Sequence, residues 1–146
     1  MRSKGRAVVS ACLAGVKCRY DGGSCEVPEI VQLLREGMAV PVCPEQLGGL
    51  PTPRPRSEIS SGSGEDVLDG RSKVVSEDGR DLTAEFIRGA HEALRIARLF
   101  GAERAIFKRR SPSCGCGEIY LEGSLKPGNG VTAALFMREG IEVVPA

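Results

Sequence analysis

RAVVSAC, residues 6–12, is a short apolar run, β-branched at its centre, that stops at a thiol. Such a run predicts a buried strand over residues 6–11. The pattern then recurs twice. Residues 38–42 (MAVPV) read as a second strand, closed at once by Cys43, and residues 104–108 (RAIFK) read as a third, with Cys114 a few residues beyond. Pro41 cannot donate to a ladder, so the second strand belongs at an edge or near its end. A last strand is expected over residues 141–144.

Helical patterns separate these runs. Ile30, Leu33 and Leu34 predict a helix over residues 28–35, with Pro28 in its first turn and Gly37 as its stop. Leu82, Phe86, Ala90, Ala93 and Ala97 recur on one face of a long helix over residues 83–100, capped by Asp81 or Thr83 and ended by Gly101. A final helix is expected over residues 130–138. Residues 48–72 form the longest irregular stretch, and a hairpin is expected at its end: Val67-Leu68, the turn Asp69-Gly70, then Lys73-Val74-Val75. Strands alternating with helices predict an α/β fold, a single three-layer Rossmann-like domain over residues 1–146 with a mostly parallel sheet.

Composition narrows the function. The 146 residues suffice for one core, which must be aliphatic because Trp is absent and aromatics are 4%. A net charge of +1 gives no electrostatic case for a nucleic-acid partner. No stretch approaches a membrane span, and the apolar run after the basic residues 1–6 is too short for a signal peptide. The expectation is a cytoplasmic protein whose six cysteines act as ligands, catalytic groups or core residues, not disulfides.

In parallel α/β sheets ligands bind beyond the carboxyl ends of the strands. Cys12, Cys43 and Cys114 fall where that rule points, so parallel strands would deliver three thiols to one edge. Thiolates bind zinc, Cu(I) and iron–sulfur clusters. The Cys12–Cys18 and Cys114–Cys116 spacings make poor zinc-ribbon pairs, and the single histidine, His91, lies inside the long helix with an expected solvent-facing side chain. Three thiols from three loops suit a cubane cluster better, and three protein ligands to a 4Fe-4S cluster would leave one iron open. The bland alternative is that each cysteine is a small buried hydrophobe. Cys18 and Cys25 lie mid-loop, outside the strand-end pattern. Cys116 is either a fourth ligand or a spectator, and one intervening residue is cramped for two ligands to one cluster.

Four motifs stand in order along the chain: VSACLAGVKCRYDGG (9–23), PVCPEQLGGLPTPRP (41–55), RSPSCGCGEIY (110–120) and PGNGVTAAL (127–135). Together they resemble the thiouracil desulfurases, or desulfidases, of a family first catalogued as a domain of unknown function. The resemblance implies a 4Fe-4S cluster held by Cys12, Cys43 and Cys114 with the fourth iron free. It places a carboxylate at Glu45 and a serine at Ser111, with Ser113 the lesser choice. It further implies that a thiocarbonyl sulfur meets the open iron, that Glu45 activates water or shuttles protons, and that Ser111 hydrogen-bonds the small-molecule substrate. The sulfur leaves as sulfide. Passing that sulfur to another acceptor, a non-catalytic cluster with Cys18 or Cys116 as fourth thiolate, and a zinc module are the competing readings.

Glu45 has a bland reading as a surface carboxylate, and Ser111 and Ser113 as turn residues. PGNG opens either an anion site or an ordinary cap formed by Asn129 or Gly130. Arg54 and Arg56 either meet an anionic substrate group or belong to a solvated, proline-stiffened loop.

Overall fold

Ala7, Val8 and Val9 are fully buried although neighbours along a strand point to opposite faces, so the sheet they belong to is covered on both sides. The computed structural model describes residues 5–146. The basic run that opens the chain therefore lies largely outside the described residues.

The central sheet has four strands. They are β1 (Ala7–Ser10), β2 (Ala39–Val42), β5 (Arg104–Phe107) and β8 (Glu142–Pro145), in the order β2-β1-β5-β8. All three pairings are parallel, with Val9 opposite both Pro41 and Ile106. Pro41 thus sits in an edge strand, where its missing N–H costs no ladder bond. The helices α1 (Pro28–Arg35), α4 (Thr83–Phe100) and α5 (Val131–Arg138) complete the layers. Ala7, Val9, Ala39 and Ile106 pack toward α1 through Ile30. Val8, Val42, Ala105 and Phe107 pack toward α4 and α5 through Phe86, Ala90, Leu94 and Phe136. The result is the expected three-layer α/β architecture.

Asp81 Oδ1 accepts from the Thr83 amide at 3.0 Å and so starts α4. Gly101, in the left-handed region at φ 74, ends it.

The segment after β2 departs from the expectation of a long irregular stretch. It holds α2 (Pro44–Leu47), β3 (Ser57–Ile59), α3 (Gly64–Leu68) and β4 (Val74–Ser76), with β3 and β4 antiparallel. The expected hairpin at residues 67–75 is displaced because Val67-Leu68 belongs to α3. Ser63 and Asp66 form a reciprocal capping box there, and it outcompetes the turn suggested by Asp69-Gly70. A second unexpected hairpin, β6 (Glu118–Leu121) with β7 (Ser124–Pro127), follows the Cys114 motif. Among the described residues no helix is long and apolar enough to cross a membrane.

Candidate active site

The chain runs from β1 to β2 on one side and later to β5 on the other, so strand order reverses between β1 and β5. A crevice at such a switch point, beyond the carboxyl ends of the strands, is where open α/β sheets bind ligands. Ser10 closes that point: its hydroxyl accepts from the Lys108 amide at 2.9 Å. A pocket of about 340 Å³ opens there, lined by Cys12, Cys43, Cys114, Glu45 and Ser111 among others. The three thiols reach it by different routes. Cys12 lies in a 3₁₀ turn (Ala11–Ala14) directly after β1. Cys43 is the N-cap residue of α2. Cys114 lies on the turn that leads from β5 to β6.

A fourth thiol joins them. Cys18 is buried and lines the same pocket, and its side chain hydrogen-bonds to both Cys12 and Cys43. Cys43 Sγ lies 3.8 Å from the Cys18 carbonyl oxygen. Its mid-loop position hid this in the sequence. The loop folds back because the Cys25 amide donates to Cys12 O and the Val27 amide to Leu13 O. Cys25 is instead contacted by Arg19 at 3.4 Å, and Cys116 faces Val143 O at 3.8 Å, with neither lining the pocket.

The electrostatics follow from these contacts. The hydrogen bond from Cys18 holds the Cys43 thiol down to about 7 against the effect of burial, with the Gln46 amide at the start of α2 adding to it. The same Cys18 contact lowers Cys12, with Lys108 assisting, and the two bonds together push Cys18 up. Burial pushes Cys114 up, opposed by its bond to Ser10. All six cysteines are free thiols. Among the described residues no three His, Cys, Asp or Glu side chains converge on one point as a single metal ion requires. Thiols spread around a pocket are the donor set an iron–sulfur cluster takes, so the residues fit that group.

Glu45 stands in the first turn of α2, and its carboxylate accepts from Arg54 Nε at 2.8 Å. The pair is largely removed from solvent, with side chains 16% and 5% exposed. Arg54 also donates to Cys18 O at 2.9 Å and, through its own amide, to Tyr20 O at 2.8 Å. Neither sequence reading of Arg54 describes this: it is a buried tie between the carboxylate and the Cys18 loop. The position of α2 is set by two glycines the helix pattern did not single out. A Cβ at Gly89 would lie 1.9 Å from Pro44 O, and one at Gly48 would lie 2.0 Å from Glu85 O. Only glycine permits so close an approach of α2 to α4.

The Ser111 hydroxyl oxygen accepts from the amides of Ser113 and Cys114, each at 3.0 Å. It is therefore a turn residue and a pocket residue at once, and its own proton remains available to donate. Ser113 is buried and its hydroxyl is paired with Thr132 Oγ1 at 2.7 Å, away from the pocket lining. The PGNG loop is a cap: Gly130 precedes α5, and the first amides of that helix donate to Pro112 O and Ser113 O. They are thus spent on the Cys114 turn. A Cβ at Gly130 would lie 2.5 Å from Ser113 O, which is why glycine stands there. His91 is exposed on α4, as expected.

Comparison with known proteins agrees with this architecture over nearly the whole chain. The chain is 44% identical over 140 residues to YbbK of Bacillus subtilis (strain 168), covering 94% of this chain and 93% of that protein. It superposes with a TM-score of 0.85 on the solved structure of TudS, a [4Fe-4S]-dependent thiouracil desulfidase. The identity there is 44%, and the match covers 97% of this chain and 91% of the other. Residues 7–146 match the family model described as 2-thiouracil desulfurase. The strand-end cysteines and the carboxylate after Pro44 thus stand in a chain that belongs to the 2-thiouracil desulfurase family.

Proposed function

We propose that this protein is a desulfidase that removes sulfur from a small thiolated compound such as 2-thiouracil, using a 4Fe-4S cluster held by Cys12, Cys43 and Cys114. The observation that carries the reading is the meeting of these thiols with Glu45 in one pocket at the switch point of the sheet, in a member of this family. With three thiolate ligands, such a cluster would supply a soft Lewis acid that makes a thiocarbonyl carbon electrophilic.

The chain's own groups do the rest. Glu45 takes a proton from the water that attacks this carbon and returns a proton as the carbon–sulfur bond breaks. Arg54 keeps that carboxylate turned into the pocket. The Ser111 proton is donated to the substrate where negative charge develops. A carbonyl product and sulfide leave, with no net electron transfer.

The test is anaerobic reconstitution. The loaded protein is expected to carry about four irons per chain and to release sulfide from 2-thiouracil. Zinc in place of iron, or a loaded protein that releases none, overturns the reading.

One observation favours a second reading. Cys18 touches both Cys12 and Cys43, so a fourth thiolate is at hand for a fully ligated, non-catalytic cluster. Under that reading, Cys18→Ala loses the cluster. Under the desulfidase reading it keeps it.

A further inference from the structure

The chain has two tyrosines and no tryptophan. Both tyrosines line the pocket, whereas Phe86, Phe107 and Phe136 are buried in the core. Tyr20 comes from the loop after β1 and Tyr120 from β6, so separate parts of the fold bring them to one mouth. Arg56, just before β3, spans them. Its guanidinium carbon lies 5.6 Å from the Tyr20 ring centroid and 5.8 Å from that of Tyr120. Among the described residues Arg56 has no carboxylate partner, and neither tyrosine hydroxyl makes an intramolecular hydrogen bond.

This arrangement is unlike a core contact. A weakly hydrated planar cation lies against two aromatic rings at the entrance to a reaction pocket, without an ion pair to hold it. A flat conjugated ring offers the same kind of face to both tyrosines. An aliphatic thioamide does not.

We propose that Tyr20, Arg56 and Tyr120 are the specificity element of the pocket and select a planar heteroaromatic thione over an aliphatic or puckered thiocarbonyl compound. The inference rests on the desulfidase reading and assigns the residues that recognise the substrate's flat ring at that site. The stacking faces supply the discrimination, and Arg56 supports the polar edge of the ring.

The experiment uses the cluster-loaded protein and calorimetric titration with two probes. Uracil is flat and aromatic. 5,6-Dihydrouracil carries the same amide groups on a puckered ring. Uracil is expected to bind at least about 10-fold more tightly, the scale of one base stacked on one aromatic side chain. Tyr120→Leu and Tyr20→Leu should each erase most of that preference by weakening uracil alone, while Tyr120→Phe, which keeps the face, should retain it. Equal binding of the two probes, absence of uracil binding, or an unchanged preference in both leucine variants overturns the proposal. The titration involves no turnover. A wild-type protein that binds uracil selectively yet releases no sulfide from 2-thiouracil would sink the desulfidase reading and leave the clamp standing.

Discussion

Arg54 Nε lies 2.8 Å from Glu45 Oε1, and the same guanidinium donates to the Cys18 carbonyl at 2.9 Å. One buried cation therefore ties the carboxylate after β2 to the thiol loop after β1. Replacing Arg54 by Met leaves the carboxylate without its partner. Loss of one member of a buried pair costs roughly 3–5 kcal/mol, and a pair facing a pocket belongs at or below the low end. The variant is expected to lose stability in urea titration and to lose kcat more than KM. Arg54→Lys restores charge but not the two-directional fork, so it should recover stability more than turnover.

Glu45→Gln keeps the shape of the side chain and removes its capacity to take a proton. The cluster's absorbance should persist while kcat falls by about 10²-fold or more. Full turnover in this variant would remove the acid–base role.

The two serines of the Cys114 turn separate by experiment. Ser111→Ala removes the acceptor for two amides and a donor into the pocket, so stability and turnover should both fall. Ser113→Ala breaks only the buried bond to Thr132 and should cost about 1–2 kcal/mol with turnover per loaded cluster preserved. Thermal unfolding and sulfide release read the two effects.

Gly89→Ala raises helix propensity by about 1 kcal/mol, yet it is expected to destabilise, because the new methyl would lie 1.9 Å from Pro44 O. Tm should drop by several degrees, roughly 5 °C or more, and cluster retention should fall because α2 carries Glu45 and is capped by Cys43. Gly79→Ala makes the control: its added Cβ meets nothing, so the cost is confined to its positive φ of 85.

Arg138 pairs with Asp69 at 2.8 Å and holds that carboxyl below its usual range. The folded chain therefore releases this proton more readily than the unfolded chain does. The stabilisation is fully present above the unfolded carboxyl value of about 3.9 and is lost as pH falls through the lower folded value. Arg138→Met should lower the urea midpoint at neutral pH, and its deficit should shrink in acid below that window. A deficit independent of pH would point to packing by the arginine stem instead.

Much of the fold was legible because its signals are local. The β-branched run at Val8-Val9, the apolar face from Leu82 to Ala97 and the proline in an edge strand each act within a few residues. The strand-end rule then pointed to Cys12, Cys43 and Cys114 without any long-range information. The hairpin expected at residues 67–75 failed because two local signals competed, and the capping box of Ser63 and Asp66 prevailed over the Asp69-Gly70 turn. The β6–β7 hairpin is not legible because its two-residue turn, Glu122-Gly123, needs positive φ at both positions, and Glu, unlike the Asn or Asp that marks such turns, rarely adopts it.

By itself, the amino-acid order determined the layers and which thiols stand at strand ends, since periodicity and chain-terminating residues act over a single element. Only the tertiary structure decided that Cys18 joins the pocket, that Arg54 is buried against Glu45, and that both tyrosines meet at one guanidinium. Those relationships join residues from separate loops, and loops carry no periodicity. Their geometry comes from backbone hydrogen bonds and from glycine contacts such as Gly89 against Pro44, which exist only once the elements have packed.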